Sequence, residues 1–193
     1  MKNSIYLLLV ITSTFLLPSC SYNTLVSGDE TVTKAWADVE ASYQRRADLI
    51  GNLVETVKGE AKFEKETLTA VIEARSKATS IQLKADDITP ENMAKFQQAQ
   101  SQLSGALSRL LVVAEQYPNL KATQAFENLM NELERTENRI NVARRDYNAA
   151  VQSYNTQVRS FPSNIVANVF GFKKREPFKA DVGSEKAPKV NFD

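Results

Sequence analysis

Cys20 is the only cysteine in a chain of 193 residues. It follows an early Lys2, an apolar run from Ile5 to Leu17, and the pair Pro18-Ser19. A small residue directly before a lone cysteine is the layout of a lipoprotein secretory signal. The Cys20 thiol would carry a diacylglycerol through a thioether, and cleavage before Cys20 would make it the first residue of the mature chain. The apolar run is about 13 residues, short of the roughly 20 that a membrane-spanning helix needs. The expectation is a signal peptide over residues 1–19 and a lipid on Cys20. The mature chain would then sit on a membrane, facing the periplasm or the cell exterior. Ser21 is compatible with sorting to an outer membrane.

A second group with chemical potential is carried on helices. Arg45, Arg46, Asp48 and Asn52 fall within two turns; Glu137, Asn138, Arg139, Arg144 and Arg145 fall together further on. Arginine forks match carboxylates bidentately, so such clusters can hold an anion or an acidic partner. The same residues can instead form a polar layer that fixes helix register. Arg45, Arg46, Arg139 and Arg144 are the partner-binding candidates. The pairs Tyr147-Asn148 and Tyr154-Asn155 repeat at seven and share a face. They read as core with hydroxyls at the surface, or as the lining of a peptide or lipid groove. Trp36 suits either the membrane interface or a cap on the bundle end. Glu60, Glu64 and Glu66 have the spacing of a solvated face.

Composition narrows the chemistry further. The chain has no histidine, which removes the commonest general base and metal ligand. With Cys20 lipidated, no thiol remains for catalysis, a disulfide or zinc. GxGxxG, P-loop and GxSxG patterns are absent. Removing residues 1–19 takes away only Lys2, leaving 23 Lys+Arg against 23 Asp+Glu. A neutral mature chain gives no electrostatic case for nucleic acid. No cofactor and no enzymatic activity are expected.

The elements that must position these residues are helices. From Val32 through Trp36, Val39, Tyr43, Ala47, Ile50, Val54, Val57, Ala61, Leu68, Val71 and Ala78, apolar residues step by three, four or seven. This predicts one helix from about residue 30 to 80, with Gly51 and Gly59 as a bend or close helix contact. Residues 20–28 read as anchor and linker. Thr89-Pro90-Glu91 starts a second helix, running to about Gln116. A third starts near Leu120 and stops at Phe161, before Pro162. Asn164–Phe170 form a short fourth, ended by Gly171. Residues 173–193 are charged and aperiodic, and read as a flexible tail that is removable with little loss of stability. No strand signal occurs. The fold class is all-α: an antiparallel bundle of three long helices plus a short C-terminal one, of four-helix up-and-down type, over residues 29–172.

Several segments resemble the LemA family of bacterial membrane-associated helical proteins. They are Tyr22-Asn23-Thr24-Leu25-Val26, Trp36-Ala37-Asp38-Val39-Glu40 and Tyr43-Gln44-Arg45-Arg46-Ala47-Asp48-Leu49-Ile50. Glu115-Gln116-Tyr117-Pro118-Asn119-Leu120, Thr136-Glu137-Asn138-Arg139-Ile140 and Phe161-Pro162-Ser163-Asn164 continue the likeness. The chain departs from the family pattern at Gly51, Glu60 and Phe63, and has a lipobox where members usually have a transmembrane helix. The resemblance implies a helical bundle near a membrane and no defined activity.

The reading that follows is a lipid-anchored, non-catalytic scaffold or accessory module for an envelope protein partner. The alternative is a peptide- or lipid-binding chaperone-like factor, or a carboxylate-based hydrolase, with a groove between the helices. A spacer holding a partner off the bilayer is a third. Cys20→Ala is expected to leave an uncleaved precursor and to abolish fatty-acid labelling. Unchanged labelling at the same mass would refute the anchor.

Overall fold

A computed structural model describes the backbone of residues 2–59 and 63–179, with side chains from Ser21 onward. The helices are α1 (Lys2–Lys58), α2 (Lys65–Ser80), α3 (Pro90–Ala114), the one-turn α4 (Pro118–Lys121), α5 (Gln124–Arg159) and α6 (Ser163–Phe170). A 3-10 turn, Ala85–Asp87, lies between α2 and α3. Among the described residues there is no strand, and no helix is long and apolar enough to cross a membrane.

Local chemistry sets the boundaries. Thr89 Oγ1 accepts from Asn92 N–H at 3.2 Å, Pro90 occupies the first turn, and Glu91 meets the positive helix end. Thr123 Oγ1 accepts from Phe126 N–H at 3.3 Å and starts α5. Gly171, at φ 78°, ends α6, and Phe172 N–H turns back to the Ala167 carbonyl at 2.9 Å.

The long antiparallel pair α1/α5 is the frame. Away from the chain's N-terminal end, α2 returns along α1 and α3 reverses again, so α1, α2, α3 and α5 surround one core. Ile50, Leu53, Val57, Leu68, Val71, Leu103, Leu110, Phe126 and Leu133 are buried in it. Nearer the N-terminal end a second cluster holds Val32, Trp36, Tyr43, Phe96, Ile140, Tyr147 and Tyr154. α6 packs Val166 and Ala167 on Leu25 of α1.

The structure corrects the sequence reading in four places. The predicted 30–80 helix is two: α1 ends at Lys58, beside Gly59, and α2 begins at Lys65. The apolar stripe persists through the break because α2 folds back onto the same core. Gly51 is a close contact, as a Cβ there would stand 3.2 Å from Cζ of Arg75 on α2. Residues 21–28 are not a linker but α-helix, with Leu25 fully buried. α3 stops at Ala114, and α5 starts at Gln124 after the separate turn of α4.

The fourth correction concerns the tail. Residues 172–179 have no regular secondary structure, yet they lie as a strap along α5. Phe178 is 6% exposed and stacks 5.8 Å from Trp36. Arg175 joins three elements. Its Nε and Nη2 donate to the two oxygens of Asp29 at 2.9 Å each, Nη2 also to Asp86 at 2.7 Å, and Nη1 to the Ala85 carbonyl at 2.9 Å. The bundle thus extends past residue 172. The rest of the expected tail, 180–193, lies outside the described residues.

Phe178→Ala is expected to cost about 3–5 kcal/mol and Leu133→Ala or Ile140→Ala about 2–5 kcal/mol in thermal or urea unfolding. Truncation after Phe172 should destabilise at least as much as Phe178→Ala. A truncated chain with the full-length melting point would return the strap to the status of a tail.

Candidate functional site

Between the two core clusters sits a polar layer. Arg46, Gln100 and Thr136 are the buried polar residues among those described. Arg46, 5% exposed, projects from α1 to both neighbours. Nη1 donates to Ser104 at 3.2 Å and to the Glu137 carboxylate at 3.3 Å, and Nη2 donates to Gln100. Its ring neighbour is Tyr43, 5.0 Å below the guanidinium. Burial of a charge requires this degree of pairing. The layer therefore ties α1 to α3 and α5 at one height; of the two sequence clusters only Arg46 and Glu137 take part in it. One atom, Arg46 Nε, is buried without a partner.

The four candidate arginines do not form one site. Arg45 is exposed and pairs with Glu132 at 3.3 Å. Arg139 lies on another flank, in a shallow depression with Ala35, Asp38, Val142 and Asp146. Arg144 stands on the same side as Arg46, with its guanidinium 4.9 Å over the Phe178 ring. Asp48 serves Arg75 of α2, at 3.6 Å. Trp36 is neither a membrane residue nor an end cap. It is 1% exposed, donates Nε1–H to the Leu83 carbonyl at 2.6 Å, and meets Phe96, Tyr147 and Phe178. Glu64 and Glu66 are exposed, and Glu60 lies outside the described residues, as does the side chain of Cys20.

Arg46 and Arg144 line a cleft. The cleft lies between α3 and α5, with Arg46 and Ile50 of α1 between them. One part, about 150 Å³, is bordered by Gln97, Ser101, Ser104, Glu137 and Arg144. Sharing Arg46, Ser104 and Glu137 with it, a second part of about 490 Å³ adds Ile50, Leu107, Met130 and Leu133.

The strap leads into this cleft. Asn155 Nδ2–H donates to the Arg175 carbonyl and Asn155 Oδ1 accepts from Arg175 N–H, both at 2.8 Å. Asn148 repeats the grip on Phe178, at 3.2 and 2.8 Å. Tyr147 Oη donates to the Glu176 carbonyl at 2.8 Å. Seven helical residues rise about 10.5 Å, and three extended residues span about 10 Å. An asparagine every seventh position on α5 therefore reads every third residue of an extended chain. Gln97 and Arg144 then hold the Lys179 carbonyl at 3.1 and 3.5 Å. Asn141, seven residues before Asn148, is exposed and continues the same stripe between Glu137 and Arg144.

The LemA family model matches residues 35–192, most of the chain. This chain belongs to the LemA family. The magnetosome protein MamQ 2 of Paramagnetospirillum magneticum is 28% identical over 176 residues, covering 82% of this chain and 64% of that protein. Protein LemA of Metamycoplasma hominis is 26% identical over 166 residues, covering 83% of this chain and 72% of its own. The magnetosome protein MamQ of Magnetospirillum gryphiswaldense is 26% identical over 177 residues. The chain spans 64% of the length of the MamQ relatives.

In this LemA-family chain, sequence reasoning missed Asp29, Arg175 and Phe178. The signal was present in the heptad of Tyr-Asn pairs. Each tyrosine goes into the core, as expected, but the hydroxyls do not reach the surface, since the residues are 0% and 1% exposed and the strap covers Tyr147 Oη; each asparagine faces a main chain that has no periodicity of its own.

Burial pushes the phenols of Tyr147 and Tyr154 up to about 12. A phenol held above its unfolded value near 10 stabilises the fold below that pH, and the benefit is lost as pH rises toward 12. Tyr147 phenolate also cannot donate to the strap. Stability should fall between about pH 10 and 12, and Tyr147→Phe should flatten the fall in pH-dependent melting curves. Asn148→Ala and Asn155→Ala should each cost about 1–3 kcal/mol at neutral pH, the cost of stranding paired groups.

Proposed function

We propose that this LemA-family chain is a lipid-anchored, non-catalytic binding module of the cell envelope, and that its α3/α5 cleft accepts an extended peptide segment of a partner. The observation that carries the reading is the asparagine ladder of α5. Two rungs already hold an extended main chain, and the exposed Asn141 follows at the same seven-residue spacing, on the helix stripe of Glu137 and Arg144, which line the cleft. Recognition through main-chain amides is tolerant of sequence, while Leu107, Met130 and Leu133 offer contact to apolar side chains. Arg144 and the exposed edge of Glu137 supply charge of either sign at the rim. Cys20, with the small residue before it, supports the anchor.

Binding rather than turnover is supported by the residues at hand. Arg46 is committed to three partners, and the cleft carries no histidine or thiol. The arginines then divide by role. Arg46 is structural, and Arg144 is the one beside the extended chain.

A displayed library of linear peptides, selected on immobilised full-length protein, tests this. Binders are expected whose capture falls at least tenfold in Asn141→Ala and in Met130→Glu, with melting points kept. Val112→Glu, at an exposed position 68% accessible and outside the cleft, should leave capture unchanged. Selection that yields no peptide sensitive to Asn141 or Met130 would overturn the groove.

A further inference from the structure

Eight large apolar side chains are exposed among the described residues, and five gather at one end: Tyr22, Phe161, Ile165, Val169 and Phe170. Ile165 and Val169 are four apart on α6, so they share its outer face, with the exposed Phe161 in the turn just before the helix, while Val166 and Ala167 on the inner face pack on Leu25. The Tyr22 ring meets Phe170 edge-on at 4.9 Å and Phe172 at 5.7 Å, making the patch continuous with α1. Val169 is 73% exposed and Phe161 81%. Contiguous apolar surface of this kind is rarely left in water.

The place and charge of the patch say what covers it. α1 is one helix through residue 22, so the apolar run Ile5–Leu17 and Cys20 leave the bundle directly beside the patch. From Tyr147 to Arg175 the chain has no Asp or Glu, but has Arg159, Lys173, Lys174 and Arg175. Arg175 is neutralised by Asp29 and Asp86; Arg159, Lys173 and Lys174 are exposed with no ion pair among the described residues. Residues 21–28 carry no charge at all, and Glu30, the next acid on α1 after Asp29, lies about 12 Å along the axis from Tyr22. Apolar face, unpaired cations and chain anchor thus coincide at one end of the molecule.

We infer that α6 and the Tyr22 turn form a second membrane contact: the outer face of α6 lies in the interfacial layer of an anionic bilayer, with Arg159, Lys173 and Lys174 on lipid phosphates. This rests on the anchored reading, and adds that the bundle is held against the surface and oriented by it. A short amphipathic helix with basic flanks binds weakly alone, and an adjacent anchor supplies the local concentration that keeps it down.

The full chain, purified from membranes and reconstituted in phosphatidylcholine vesicles with 30% phosphatidylglycerol and brominated acyl chains, provides the test. An environment-sensitive dye is placed on Ile165→Cys, on Val169→Cys, or on Val112→Cys as the exposed control. Dye at 165 and 169 is expected to shift to the blue and to be quenched at least threefold more than dye at 112. Ile165→Glu with Val169→Glu, both exposed positions, should keep the melting point and abolish protection of a dye at Phe161→Cys. If the chain floats with vesicles while 165 and 169 are quenched no more than 112, the second contact is wrong and the anchor stands. If the chain does not float, the anchor fails and this contact with it. Protection of 165 and 169 in native membranes but not in protein-free vesicles would assign the patch to a protein partner and overturn the lipid assignment.

Discussion

Two long helices packed antiparallel bury only the seam between them, and that constraint shapes the rest of this molecule. α1 and α5 run together from Leu25 and Val158 at one end to Val57 and Phe126 at the other. Each has an apolar stripe wider than a two-helix seam can cover. Beyond Arg46 the excess is covered by α2 and α3, as in a four-helix bundle. Toward the N-terminal end α2 has stopped and only the first turns of α3, with Met93 and Phe96, reach the seam. There the loop through Leu83 and Ala85, the strap with Phe178, and α6 do the same work without long helices. Trp36 shows the substitution plainly: its nitrogen is satisfied by a loop carbonyl, and its faces by one ring from each of α3, α5 and the strap.

The polar layer at Arg46 makes the two modes of covering compatible. Apolar cores tolerate small slips in register, whereas a buried guanidinium does not, because each displaced partner leaves a charged group unsatisfied. By tying Gln100 and Ser104 of α3 and Glu137 of α5 to a single position on α1, the layer fixes how far α3 and α5 slide past one another. Arg175 repeats the device at the other end, joining Asp29, Asp86 and Asn155. With both ends tied, the asparagines of α5 sit at a defined height against the strap, and the bidentate grips at 2.8–3.2 Å become possible.

The helices and their inward faces were legible because a 3.6-residue period is written into the chain wherever one face is buried. Val39, Ile50, Val54 and Tyr147 are core as the spacing indicated. Boundaries were less so. The stripe crossed Gly59 without a change of phase, since α1 and α2 address one core from two sides, and periodicity does not record a reversal of direction. The strap was illegible for a different reason. Its recognition runs through main-chain groups, which every residue shares, so Lys173–Lys179 looks like any polar tail. Only the partner positions carry information, and those were read for their tyrosines instead of their asparagines. The candidate arginines fared unevenly because type and spacing identify a helix face but not which neighbour it meets. Arg45 and Arg46 are adjacent in sequence, yet one is solvated and the other is the centre of the fold.

An order along the α5 axis connects these features. First comes the apolar, basic end with α6, then the asparagine ladder under the strap, then the Arg46 layer, then the open part of the cleft. The strap enters from the α6 end and runs toward the cleft, so the chain itself shows the direction and extended conformation of a main chain gripped by the α5 asparagines. Of its two gripped residues, Phe178 is buried and the Arg175 side chain is 14% exposed, against 24% for Glu176 between them. A ladder that holds main chain at every third residue therefore gains its affinity from what those residues do with their side chains. In the filled half, one is an arginine meeting two carboxylates and the other a phenylalanine entering an aromatic cage. The open half is lined by Tyr43 beside the strap and by Leu107, Met130 and Leu133 further along, so the peptide proposed to seat there would meet mainly aliphatic side chains at its far end, in place of an aromatic cage.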